Sequence, residues 1–118
     1  MPAVDAHFRP LYGGGDFRTV AVVDSGSTYT FVPHGIPVTH KWTRKGVPLT
    51  TVSPIGGRKL RVRRYLVNVD IGSGSWAIPV CEFPKGSKLN CSLIGQDLLL
   101  FMKAILDGPN RRLLLESP

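Results

Sequence analysis

The sequence predicts a mostly β domain carrying one short helix near its C-terminal end. Three observations predict it. Apolar, β-branched runs of strand length recur along the chain, as in Phe17 to Val23 and Tyr65 to Ile71. Turn formers punctuate them: 13 Gly and 10 Pro among 118 residues leave little room for long helices. Only Gln96 to Lys103 spaces its apolar residues as a helix does, with Leu98, Leu99, Phe101 and Met102 on a wide face.

Taken in order, Ala3 to Leu11 alternates weakly. It is expected to pair with Phe17–Val23 as a hairpin around the Gly13-Gly14-Gly15-Asp16 turn. Phe17–Val23 reads as a strand buried on both faces. After Asp24-Ser25-Gly26 a further strand is expected over Thr28–Val32, ended by Pro33, Gly35 and Pro37. The polar, basic stretch 38–45 matches no element. Leu49–Val52 and Lys59–Ile71 flank Ser53-Pro54-Ile55-Gly56-Gly57, two β-rich arms around a glycine-rich tip. The second arm changes phase, with Leu60 and Val62 on one parity and Tyr65, Val67, Val69 and Ile71 on the other. A bulge near Arg63-Arg64 reconciles them. Gly72 to Ser75 is a turn, Trp76–Cys81 a strand with Pro79 near an edge, and Ser92–Gly95 a short strand. Ala104–Asp107 and Arg111–Glu116 form a last hairpin around Gly108-Pro109-Asn110.

Composition bounds the function. Length suits one domain, residues 1–118, able to bury a modest core. With 42 % hydrophobic and 19 % charged residues the chain is globular in character. Cys81 and Cys91 are too few for a disulfide scaffold, lack zinc-type spacing, and read as thiols. The three His are scattered, so no metal site is expected. No basic segment followed by an apolar core opens the chain, and no apolar run approaches the ~20 residues that span a bilayer. The expectation is a cytoplasmic chain, or a domain of a longer protein. The formal charge of +7 is compatible with acidic substrates, nucleic acid or a membrane surface.

Chemistry concentrates at Val22-Val23-Asp24-Ser25-Gly26-Ser27. An apolar strand there delivers a carboxylate, an expensive group to bury without compensation. Ser25 and Ser27 bring hydroxyl donors, and Gly26 lets the backbone turn tightly beside the carboxylate. Two such loops facing each other would share one proton, since carboxylates about 3 Å apart cannot both ionise; one becomes acid and the other base. Taken alone, the triplet is also an ordinary turn.

Its context resembles the retropepsin family, the single-domain aspartic proteases of retroviruses and their cellular and bacterial relatives. Four features carry the resemblance in order. They are the strand ending in Val23-Asp24-Ser25-Gly26-Ser27; the continuation Tyr29-Thr30-Phe31-Val32-Pro33; the hairpin with tip Pro54-Ile55-Gly56-Gly57 followed by Arg61-Val62-Arg63-Arg64-Tyr65; and Leu93-Ile94-Gly95-Gln96-Asp97-Leu98-Leu99, about 70 residues after Asp24. The resemblance covers roughly residues 3–116. It implies a small closed β-barrel of the acid-protease type with a flap hairpin at about 49–65 and a helix at about 96–103. It further implies an aspartic endopeptidase acting as a homodimer on protein or peptide substrates without a cofactor. Asp24 would be catalytic, Ser25, Gly26 and Ser27 would support its loop, and Pro54, Ile55, Gly56 and Gly57 would form the substrate-binding flap. Two departures stand out. Gln96 replaces the arginine that helps hold retroviral dimers, and the terminal hairpin is closer to that of the cellular and bacterial members.

Other residues have plainer readings. Arg58-Lys59-Leu60-Arg61-Val62-Arg63-Arg64 holds five cations, and alternation with Leu60 and Val62 favours a solvated arm over a binding patch. The alternative function is a non-catalytic basic β-barrel module that binds peptide or nucleic acid. Only Tyr65 accompanies the cations as an aromatic, which argues against nucleic acid. Trp42 and Trp76 read as core, His34 as a turn residue, and Asp97 as a cap at the helix start.

Overall fold

The computed structural model describes residues 2–44, 50–52, 60–87 and 89–102. Strands β1 (Ala3–Pro10) and β2 (Phe17–Val23) form the expected hairpin, pairing from Ala3↔Val22 to Phe8↔Phe17. Strands β6 (Arg64–Ile71) and β7 (Gly74–Glu82) form a second, tightly turned at 72–73. β6 also pairs with β1, joining the two hairpins along one side. On the other side the short strands β3 (Phe31–Val32) and β8 (Leu93–Ile94) bridge β2 to β7. The ring β1-β2-β8-β3-β7-β6 is a closed barrel, which leaves no long unpaired edge. β4 (Thr50–Val52) and β5 (Leu60–Val62) form a separate two-stranded sheet, the arms of the predicted glycine-tipped hairpin. The tip itself, Pro54, Ile55, Gly56 and Gly57, lies outside the described residues. So does the predicted terminal hairpin, 104–116.

The barrel interior is filled by alternate side chains. Phe8, Val67, Val69, Ile71, Val80, Ile94, Leu98 and Met102 are all buried in one cluster. A second cluster of Phe31, Val62, Cys81, Phe83 and Leu93 lies where β3, β7 and β8 meet the base of β5. Phe31 and Phe83 stack there with ring centroids 4.3 Å apart. Trp42 is core as expected, its indole N–H donating to the Gly15 carbonyl at 2.7 Å. Trp76 packs partly buried against the main cluster. Cys81 and Cys91 are free thiols, and burial pushes the Cys81 thiol up to about 12.

Several expectations are corrected. β2 is not buried on both faces: a barrel strand shows every second side chain to the outside, and Val20 is 61 % exposed. β3 is shorter than Thr28–Val32, because the Thr28 carbonyl and the Thr30 N–H bond to Asp97 in α2 (Gln96–Leu99), and only the Thr30 carbonyl meets β7, accepting the Cys81 N–H. A second helix, α1 (Ile36–Thr39), occupies the Pro- and Gly-containing stretch read as a break. Pro37 sits in its first turn, where the missing N–H costs nothing. α2 continues only as turns through Met102, and Phe101 is exposed instead of sharing the buried face of Leu98, Leu99 and Met102.

The expected phase change falls at Arg63, but the arm read as one strand with a bulge is divided there, β5 belonging to the two-stranded sheet and β6 to the barrel. The Arg63 carbonyl accepts the Glu82 N–H at 3.0 Å. Pro79 sits inside β7 rather than near an edge, but the N–H groups of Cys81 and Phe83 face β3, and β3, parallel to β7, begins only opposite Cys81. The missing proline donor therefore breaks no ladder bond.

On the outer face of β1 and β6, Arg9 grips Asp70 through Nε at 2.6 Å and Nη2 at 3.0 Å. Those hydrogen bonds hold the Asp70 carboxyl below its usual value, against partial burial and with help from Ser75. A depressed carboxylate stabilises the fold above its unfolded pKa, and that contribution disappears as pH falls through the folded value. Asp70→Asn is therefore expected to lower stability at neutral pH, where the carboxylate's contribution is fully present, and to converge with wild type in acid, so that the loss of stability below about pH 4 is flatter. Urea midpoints measured across the acid range check this.

Candidate active site

Asp24 stands at the C-terminal end of β2, where the strand leaves the barrel. Its N–H donates to the Ile94 carbonyl at 2.9 Å, extending the β2–β8 pairing by one bond. Its own carbonyl accepts the Ser27 N–H at 3.1 Å, which closes a tight turn over Ser25 and Gly26. The Gly26 N–H donates to Asp24 Oδ1 at 2.9 Å. A β-carbon at Gly26 would stand 3.2 Å from that oxygen, so glycine keeps the approach open. The carboxylate is half-buried, and Ser25 and Gly26 beside it are exposed. The side chain thus lies at the barrel rim and not in the apolar interior that its strand suggested.

The serines divide differently from expectation. The Ser27 hydroxyl donates to the Tyr29 carbonyl at 2.8 Å and leaves the carboxylate alone. Ser25 contributes its carbonyl, which accepts from the Gln96 side-chain amide. Among the described residues, the Gly26 N–H is the donor that reaches Asp24.

A second segment locks this loop from behind. Gly95 passes directly under it: a β-carbon there would sit 2.2 Å from the Tyr29 carbonyl oxygen and 2.8 Å from that of Ser27. Immediately afterwards the Gln96 N–H donates to Ser27 O at 2.7 Å and the Asp97 N–H to Thr28 O at 3.2 Å. Asp97 accepts Thr30 N–H at 3.1 Å and the Thr30 hydroxyl at 2.7 Å, while also taking the Leu98 N–H at 2.8 Å. Asp97 is not the cap expected of it, since the N-cap of α2 is Gly95 and no side chain caps the helix; it lies within the first turn and ties that turn to β3. Thr30 completes the circuit by accepting the Gly95 N–H at 3.2 Å. Each polar group of this buried knot has a partner, which is the condition for such a network to rigidify.

Thr30 was not singled out by sequence, since a lone hydroxyl within Tyr29-Thr30-Phe31-Val32 looks like an ordinary strand residue. Thr30→Val keeps the shape but leaves the Gly95 N–H without its acceptor and takes from Asp97 Oδ1 one of its two donors. A loss of about 2 kcal/mol is expected, read as a lower denaturant midpoint at unchanged slope.

The remaining residues sort simply. His34 is a turn residue; its Nδ1 lies 3.1 Å from the Phe83 carbonyl and its N–H donates to Asn90. Arg64 lies over the Tyr29 ring at 5.2 Å, which ties the start of β6 to the loop after Asp24. Among the described residues, no three His, Cys, Asp or Glu side chains converge as a metal site would require, and no helix is long and apolar enough to cross a membrane. Neither a scan of protein-family models nor a search of curated proteins returns a match to this chain.

Chemically, the site offers one reachable carboxylate on a stiff loop. A lone carboxylate of this kind can accept a proton. It cannot also donate one in the same step, and that limits what a single chain does.

Proposed function

We propose that the chain is a retropepsin-like aspartic endopeptidase that works as a homodimer, with one Asp24 from each copy. The observation that carries this reading is the Asp24-Ser25-Gly26 loop, set at a barrel rim with its carboxylate reachable and its backbone pinned by Gly95-Gln96-Asp97. Each chain supplies half of an acid–base pair, and a two-fold axis beside Ser25 and Gly26 would bring the halves together. A water held between the carboxylates loses a proton to the ionised one as it attacks the scissile carbonyl. The protonated partner donates to the carbonyl oxygen. The β4–β5 hairpin closes over an extended peptide, excludes water and adds main-chain hydrogen bonds.

Gln96 acquires a specific part in this scheme. Where viral members carry an arginine, its side-chain amide bonds to Ser25 of its own loop. Loop rigidity is thus supplied within the chain, and dimer pairing rests on other contacts.

Incubation with a peptide library between pH 4 and 8 tests the proposal. Wild type is expected to cleave, and Asp24→Asn to lose at least about a thousandfold in kcat/KM, the scale of removing an essential acid–base group. Sedimentation of active protein is expected to show a dimer. Equal cleavage by Asp24→Asn, or activity from a strict monomer, overturns it.

A further inference from the structure

A groove of about 290 Å³, whose lining does not include Asp24, lies between the base of β5 and the segment after β7. Its floor is apolar, built from Val62, Phe83 and Pro84. Its rim carries Arg61, Arg63, Lys85 and His34. Arg61, Arg63 and Lys85 are exposed, and none has an ion-pair partner among the described residues. One acid, Glu82, also lines the groove. It is only 4 % exposed, and its oxygens are engaged by the Gly35 N–H at 2.9 Å and the Tyr65 hydroxyl at 3.4 Å, with His34 Nδ1 3.5 Å away. The acid serves the interior while the cations face solvent.

We propose that this groove binds an acidic peptide segment, with carboxylates on the cationic rim and an apolar side chain against Pro84, above the buried Val62 and Phe83. Charge complementarity selects the ligand: unpaired rim cations attract an anionic partner and speed its encounter. Size limits it, because the groove is at the lower end of ligand clefts, ~300 Å³, and admits a side chain or two rather than a cofactor. The aromatic geometry favours peptide over nucleic acid. Base stacking needs an open ring face, and Phe83 is 8 % exposed with its ring stacked on Phe31. The site stands independently of cleavage at Asp24.

The test uses the full chain bearing Asp24→Asn, so that peptide survives. A short fluorescein-labelled peptide alternating Glu with Leu and Gly is titrated by anisotropy beside its Gln-for-Glu counterpart. Tight binding is expected for the Glu peptide only, weakening as salt rises. Arg61→Glu, Arg63→Glu and Lys85→Glu together are expected to weaken it about tenfold or more, the scale of three rim ion pairs lost at once. Lys85→Glu alone, in an exposed loop, is expected to weaken it about threefold and decides the matter should the triple variant fail to fold. Equal binding of the Gln peptide, unchanged binding by the variants, or displacement by a single-stranded oligonucleotide at lower concentration than by unlabelled acidic peptide overturns the proposal.

Discussion

An equal mixture of wild-type and Asp24→Asn chains, allowed to exchange subunits, is expected to retain about one quarter of the peptidase activity of the same total wild-type protein. Each chain carries a single Asp-Ser-Gly loop, so the proposed acid–base pair needs two chains. Under an isologous two-fold, random pairing gives about one quarter wild-type pairs, half mixed pairs and one quarter mutant pairs. A mixed pair holds one carboxylate and one amide. The amide cannot be the acid that shares its proton with the partner, so the mixed pair has a base without its matched acid. Activity therefore follows the square of the wild-type fraction. Were each chain to act alone, activity would instead fall linearly, to about one half. A series of mixing ratios separates a straight line from a parabola without absolute rates. The pH profile adds a check. A shared proton gives two apparent pKa values that belong to the pair and bracket the optimum. Asparagine also keeps the shape of aspartate and can accept the Gly26 N–H in its place. A loss of activity therefore reports the charge and the proton rather than collapse of the loop.

The sequence made some features legible and hid others for identifiable reasons. Strands with strong alternation were clear: Tyr65, Val67, Val69 and Ile71 announced β6, and the phase change at Arg63 was legible, although it reads as a bulge in one arm where the chain in fact passes from one sheet to the other. Barrel closure was implied by resemblance and is a fact of the fold. Harder to read were elements defined by long-range bonds. Thr28–Thr30 has a strand's composition, but its polar groups meet residues 95–97, nearly seventy positions away. No local pattern encodes that choice. α1 was hidden by its proline, since Pro37 would stop a helix in its middle yet suits its beginning. Phe101 was misplaced because an apolar residue in a helical window does not declare its face when the helix ends after one turn. At the site, Asp24, Ser25, Gly26 and Ser27 were legible as a loop, whereas the roles of the serines were not. Sequence cannot tell a hydroxyl that serves a carboxylate from one that braces Tyr29. Gln96 was visible only as a departure, and its bond to Ser25 shows what the glutamine does instead.

Gly95→Ala is expected to be the most damaging single methyl group that can be added to this site. Nothing in the local backbone warns of it: Gly95 has φ −106° and ψ −170°, extended values that any residue adopts. The obstacle is the backbone of the Asp24 loop. The added carbon would lie 2.2 Å from the Tyr29 oxygen, 2.6 Å from its carbonyl carbon and 2.8 Å from the Ser27 oxygen. All three are backbone atoms, so no side-chain rotation relieves the overlap. Either β8 or the Asp24 loop must retreat, and either movement strains Gln96 N–H to Ser27 O, Asp97 N–H to Thr28 O and the Thr30–Gly95 bond. Overpacking with disrupted buried bonds puts the cost at about 3 kcal/mol or more. Gly35→Ala provides the contrast. Gly35 has φ +89° with open space where a β-carbon would go. Its penalty is conformational alone, about 1 kcal/mol. Denaturant midpoints are expected to order the proteins as wild type, Gly35→Ala, then Gly95→Ala by a wide margin. If Gly95→Ala folds at low temperature, its cleavage rate is expected to fall by much more than that of Gly35→Ala, because the displaced backbone is the one that carries Asp24. Equal stability of the two variants would mean that β8 does not press against the loop, and the rigid support assigned to Asp24 would fail with it.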